Sequence, residues 1–96
     1  MIMNIRELHR NDKPISTAEL FKTSHVNVTA IQLQKGEQIK EHVSKTPALL
    51  LCISGEAVYE TADSGKIILS AGDYTNIEAD EKHWCITSAK SELLRV

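Results

Sequence analysis

The chain is 96 residues long, 42% hydrophobic and 25% charged, with eleven basic and thirteen acidic residues and a formal net charge of −2. These values describe one small domain with a single core and argue against disorder, collagen-like sequence, coiled coil or a division into two domains. Neither sign of charge clusters strongly, so there is no electrostatic footprint for nucleic acid or anionic lipid.

The opening stretch "MIMNIRELHR" lacks the charged-then-apolar order of a signal peptide. The longest apolar run, Ala48 to Ile53, is six residues, against roughly eighteen for a membrane-spanning helix. A cytoplasmic protein with no membrane partner is expected. Within the first two dozen residues, "ISTAELFK" sets a Ser or Thr cap ahead of a Glu, the pattern of one helical turn, and Pro14 keeps the residues before it extended. Residues 1–23 are expected to form an arm on the outside of a single core spanning about 24–96.

From His25 onward, short β-prone runs replace any helical period. "HVNVTAIQL", "ALLLCIS", "EAVYET", "KIILSA", "DYTNIE" and "HWCITS" read as strands, with "ELLRV" as a closing strand. Turns fall at "KGE", "ISGE", "ADSGK", "AGD" and "ADEK", and the Asp-Ser-Gly composition of "ADSGK" suits a tight hairpin. Seven strands at this spacing predict an all-β fold, an antiparallel sandwich or barrel. The two cysteines, Cys52 and Cys85, are too few for a disulfide framework and are expected as free thiols in a reducing compartment.

Two spacings stand out. Gly36 is followed after five residues by His42, then by Ser44, Ala48 and Gly55; further on, Gly72 leads to Glu78, Asp80, His83 and Thr87. The first resembles the cupin motif of Gly, five residues, His, one, His, three or four, Glu, six, Gly, with Ser44 and Ala48 in place of the second His and the Glu. The second is similar to the other cupin motif, Gly, five residues, Pro, one, Gly, two, His, three, Asn; only Gly72 and His83 match it. The resemblance covers roughly residues 26 to 94 and implies a single jelly-roll β-barrel. A superfold of this kind hosts enzymes, binding domains and storage proteins, so it does not select an activity.

The resemblance implies that His42 and His83 point into the barrel mouth. Strand alternation puts Ser44 on the face of His42, and the family frame continues that face through Ala48, Leu50 and Cys52; Cys85 and Thr87 share the face of His83. The candidate metal ligands are His42, His83 and Cys85, with Cys52 as a further thiol, for one divalent transition metal; thiolate with imidazole favours zinc or copper. The two histidines are equally readable as buried, neutral core residues. Ser44, Asn76 and Cys52 are the candidate contacts for a small-molecule ligand. His9 and His25 are expected at the surface, and Asp73 in a turn. Leu49, Leu51 and Ile53 should face outward, as should Trp84, so a homodimer is expected.

No serine-histidine-aspartate arrangement, paired carboxylates or phosphate loop can be assembled at the required spacing. Three functions stay open: a small-molecule-binding domain with a two-histidine pocket, a metal-dependent enzyme such as a dioxygenase or isomerase, and a structural dimer with a vestigial pocket.

Overall fold

The computed structural model describes residues 2–63 and 65–96; the side chain of His42 also lies outside the described part. Nine strands follow a 3-10 turn at Ile5–Leu8: β1 Ile15–Lys22, β2 Asn27–Leu33, β3 Gln38–Val43, β4 Ala48–Ser54, β5 Glu56–Thr61, β6 Gly65–Ser70, β7 Tyr74–Ile77, β8 Lys82–Thr87 and β9 Ser91–Arg95. They form two antiparallel sheets, one of order β1-β2-β9-β4-β7 and one of order β3-β8-β5-β6. The core lies between them, with Leu33, Leu50, Cys52 and Leu93 from the first sheet packed with Ala57, Tyr59, Leu69 and Cys85 from the second. The all-β expectation agrees with this architecture, as do the expected turns, apart from Ser64 of "ADSGK", which lies outside the described residues.

Two strands are additional to the seven expected. "ISTAELFK" is not a helical turn but strand β1, paired with β2 from Ile15↔Leu33 to Lys22↔Asn27. The Thr23 hydroxyl accepts the N–H groups of His25 and Val26, closing a tight reversal that brings the two strands together. Pairing then satisfies the edge of β2 along its length, which outweighs the local capping signature. The expected external arm is therefore, over this stretch, an edge strand of the larger sheet. β3 is hidden in the sequence because "QIKEHV" is mostly polar; it is an edge strand whose neighbour is β8.

His9 departs from its expected surface position. It is 9% exposed, with Nδ1 3.1 Å from the Ser16 hydroxyl on β1, so it pins the start of the chain to the sheet. His25 is exposed as expected. Along β4, Leu50 and Cys52 are buried while Leu49, Leu51 and Ile53 are half-buried on the outer face, in line with the alternation expected of that run. No helix among the described residues is long and apolar enough to cross a membrane.

The chain passes from one sheet to the other at Gly55, the single residue between β4 and β5. Its φ is +84°, and a Cβ there would stand 2.4 Å from both the Lys90 carbonyl oxygen and Ser91 Oγ. Ser91 is fully buried and its hydroxyl accepts the Glu56 N–H, so the corner and the start of β9 are fastened to each other. Gly55→Ala should therefore destabilise the fold by about 2–4 kcal/mol, combining left-handed strain with overpacking. Gly36→Ala, at φ +82° with nothing within 4 Å of its Cβ, should cost only ~1 kcal/mol. Urea unfolding midpoints of the two variants provide the comparison.

Candidate functional site

The site is assembled by strand alternation. On β8 the residues His83, Cys85 and Thr87 are buried, while Lys82 and Ile86 are exposed. Trp84 is half-buried on the outward side, where its indole N–H donates to the Glu60 carboxylate of the adjacent strand. The register sets His83 beside Thr61 and Cys85 beside Tyr59, and on the other side it sets the backbone of His42 opposite His83. From the facing sheet, Arg95 is paired with Leu50 and Thr29. It lies two residues after the buried Leu93 and so shares its inward face.

These residues enclose a small cavity of about 50 Å³, walled by Ile31, Ile39, Leu50 and Ile77 and carrying Tyr59, His83, Trp84, Cys85 and Arg95. Arg95 also lines an open hollow of about 480 Å³ with Asn27, Ser44, Thr46 and Ala48 among its neighbours. His83 is 2% exposed, and its Nδ1 is 3.0 Å from the Glu81 carbonyl oxygen. A carbonyl only accepts, so Nδ1–H donates to it, and that bond fixes the orientation of the ring. The Tyr59 ring is tilted against His83 at a centroid separation of 5.8 Å. Tyr59 is 4% exposed, and its hydroxyl is buried without a hydrogen-bond partner among the described residues. Burial is the main cause that raises its pKa, aided by Glu81, Cys85 and Glu78 and opposed by Arg95, so the group is a phenol and a donor.

The sequence-derived candidates separate in space. His83 and Cys85 line the cavity. The side chain of His42 lies outside the described residues. Ser44 lies beyond the end of β3 at the open hollow, and its hydroxyl donates to the Thr46 carbonyl at 2.7 Å. Cys52 is fully buried in the core and is absent from the cavity wall; its Sγ faces the Ser54 carbonyl at 3.5 Å. Asn76 is exposed and lines a separate hollow with Tyr59, Thr61 and Thr75, while β7 turns Ile77 into the core. Thr87, at the asparagine position of the second motif, uses its hydroxyl on the carbonyls of Gln34 and Glu37 and so braces the β2–β3 turn.

Tyr59 and Arg95 were missed in the sequence. The signal was present in "EAVYET" and "ELLRV", where alternation puts Tyr59 with Ala57 and Arg95 with Leu93, but neither residue belongs to a histidine motif.

A three-ligand metal centre does not fit the described residues. No three His, Cys, Asp or Glu side chains come together among them. Ala48 has no donor, and the Ser44 hydroxyl is engaged in its own loop. The Cys85 thiol is pushed up to about 11, mainly by burial and secondarily by Cys52, so a metal would have to displace a tightly held proton. Cys52 is raised as well, by burial first and then by Asp73 and Glu56.

Comparison with known proteins places the chain among related folds. The family model described as "Cupin domain" matches residues 30–95. A cupin superfamily protein from Desulfitobacterium hafniense aligns with a TM-score of 0.86 at 21% identity, covering 95% of this chain and 83% of its own. An uncharacterized conserved protein with a double-stranded β-helix domain from Klebsiella pneumoniae gives 0.84 at 21%, covering 98% and 85%. An RmlC-like cupin from Shewanella frigidimarina gives 0.81 at 16%, covering 91% and 78%. These likenesses concern fold alone. Among curated proteins no sequence matches the chain.

The buried thiol has a consequence for alkaline stability. Its folded pKa of about 11 lies above the ordinary 9.0, so the folded state holds the proton more tightly and stability falls with rising pH. The contribution is complete below pH 9.0 and disappears as pH climbs through about 11. It should be on the order of 2 kcal/mol. Urea unfolding between pH 8 and 11 should show a shallower decline for Cys85→Ala than for the parent; parallel declines would contradict the assignment.

Proposed function

The chain belongs to the cupin family, and on that footing we propose that it is a small-molecule-binding cupin whose pocket opens between the two sheets. The strand order β2-β9-β4-β7 against β3-β8-β5-β6 supports a jelly-roll barrel, with β1 as an added edge. The observation that carries the binding reading is the Tyr59 hydroxyl, a buried donor without a hydrogen-bond partner among the described residues, on a side chain that lines the cavity together with His83. An unsatisfied buried donor costs roughly 1–3 kcal/mol, and a ligand acceptor would recover that cost. The opposition of His42 and His83 in the register supports a two-histidine pocket.

This reading gives His83 the role of a hydrogen-bonding wall residue. Its Nδ1 proton is held by the Glu81 carbonyl, which fixes the orientation of the ring against the cavity. Apolar walls from Ile31, Ile39, Leu50 and Ile77 would exclude water around the polar end of the ligand.

Elemental analysis of protein purified without a metal-affinity tag tests the reading against a metal-dependent enzyme. Less than stoichiometric metal is expected, with no change in His42→Ala or His83→Ala. One equivalent of zinc or copper, lost in both variants, would replace the binding reading with the enzymatic one.

We also propose that two copies associate through the outer face of β4. Leu49, Leu51 and Ile53 lie there, flanked by Leu94 and by Tyr74, which is 64% exposed. Light scattering at micromolar concentration should report twice the chain mass, and a monomer would count against it.

A further inference from the structure

The pocket has a charge that the sequence motifs do not mention. Acidic residues outnumber basic ones in this chain, thirteen to eleven. Yet among the described residues no Asp or Glu lines either the inner cavity or the hollow beyond it, and Arg95 lines both. The backbone of Arg95 and the face of its side chain are set by register, since β9 runs between β2 and β4 and pairs Arg95 with Thr29 and Leu50. Around it the inner walls are largely aliphatic, and Tyr59 brings a hydroxyl that is more than nine-tenths buried and without a hydrogen-bond partner among the described residues. A guanidinium keeps its charge at any physiological pH and offers a planar fork that matches a carboxylate.

We propose that the pocket selects a small organic acid, its carboxylate on Arg95, its short apolar part in the inner cavity and an oxygen within reach of the Tyr59 hydroxyl. This deepens the binding reading above and rests on it. The cavity of about 50 Å³ limits the inserted part to a few heavy atoms, while the outer hollow, with Asn27, Ser44 and Thr46, admits polar substituents. A separate opening beside Tyr59 is lined by Glu78 and Glu81 against a single cation, Lys66. The excess of negative charge there disfavours an anion, so the proposed entry is from the Arg95 side.

Calorimetric titration of the unmodified protein with butyrate and 2-oxobutyrate, against butyramide and 1-butanol, tests the proposal. The two acids should bind at least about tenfold more tightly than the neutral analogues, as a charge-assisted bidentate contact requires. Arg95→Gln should abolish that preference and Arg95→Lys should retain part of it, with circular dichroism verifying the fold. Tyr59→Phe, which deletes one hydroxyl, should keep the fold and weaken 2-oxobutyrate more than butyrate. The acid and amide comparison needs no variant, so it stands even if a substitution fails to fold. Binding of the neutral analogues equal to or tighter than the acids would overturn acid selection while leaving the pocket reading intact. Failure of all four compounds to bind would overturn the proposal. The pocket reading would fall with it only if a panel of neutral fragments were also without effect on thermal stability.

Discussion

A pleated strand gives each side chain one of two faces, and a slip of one residue exchanges them along its whole length. Here both sheets bury their inner faces against each other, through residues such as Leu33, Cys52 and Leu93 on one side and Ala57 and Leu69 on the other. That mutual burial fixes every register. The position of His83 is therefore not set by local sequence around it; it follows from Cys85 and Thr87, the buried residues two and four positions on. Arg95 is held inward by the same logic, through Leu93.

Most of the fold was legible because its punctuation is strong. Glycines mark four reversals and Asp80, at φ 65°, marks a fifth, and between them the apolar runs are of strand length. What escaped was β1 and β3, and for one reason. Edge strands bury little, so "ISTAELFK" and "QIKEHV" carry no sustained apolar alternation, and their identity comes from the neighbour they pair with. His9 was illegible for a related reason: its burial depends on Ser16, seven residues away on a strand that local signals did not disclose.

The site was legible only where a motif pointed. The histidine spacings led to His83 and to Cys85 beside it, while Cys52 lies in the core and Asn76, chosen from alternation, lies at a separate hollow beside Tyr59. Alternation alone has two solutions for a short strand. On β7 the choice was made by the burial of Ile77, which is a tertiary fact. Tyr59 and Arg95 belong to strands whose patterns are apolar and unremarked, and their importance appears only when two sheets bring them to one space. The proposed binding chemistry differs from a metal centre in kind: it would rest on donors and one fixed positive charge, in place of a convergent set of lone pairs.

The place of β9 in the larger sheet carries a kinetic consequence. It is the last of the nine strands in chain order, yet it lies between β2 and β4 and bonds to both. During synthesis those two strands must wait with open edges until Ser91–Arg95 leaves the ribosome. Closure of such distant pairings belongs to the slow, millisecond-to-second range of folding. Because Arg95 arrives on that strand, the polar centre of the pocket comes into existence in the same late event that completes the sheet.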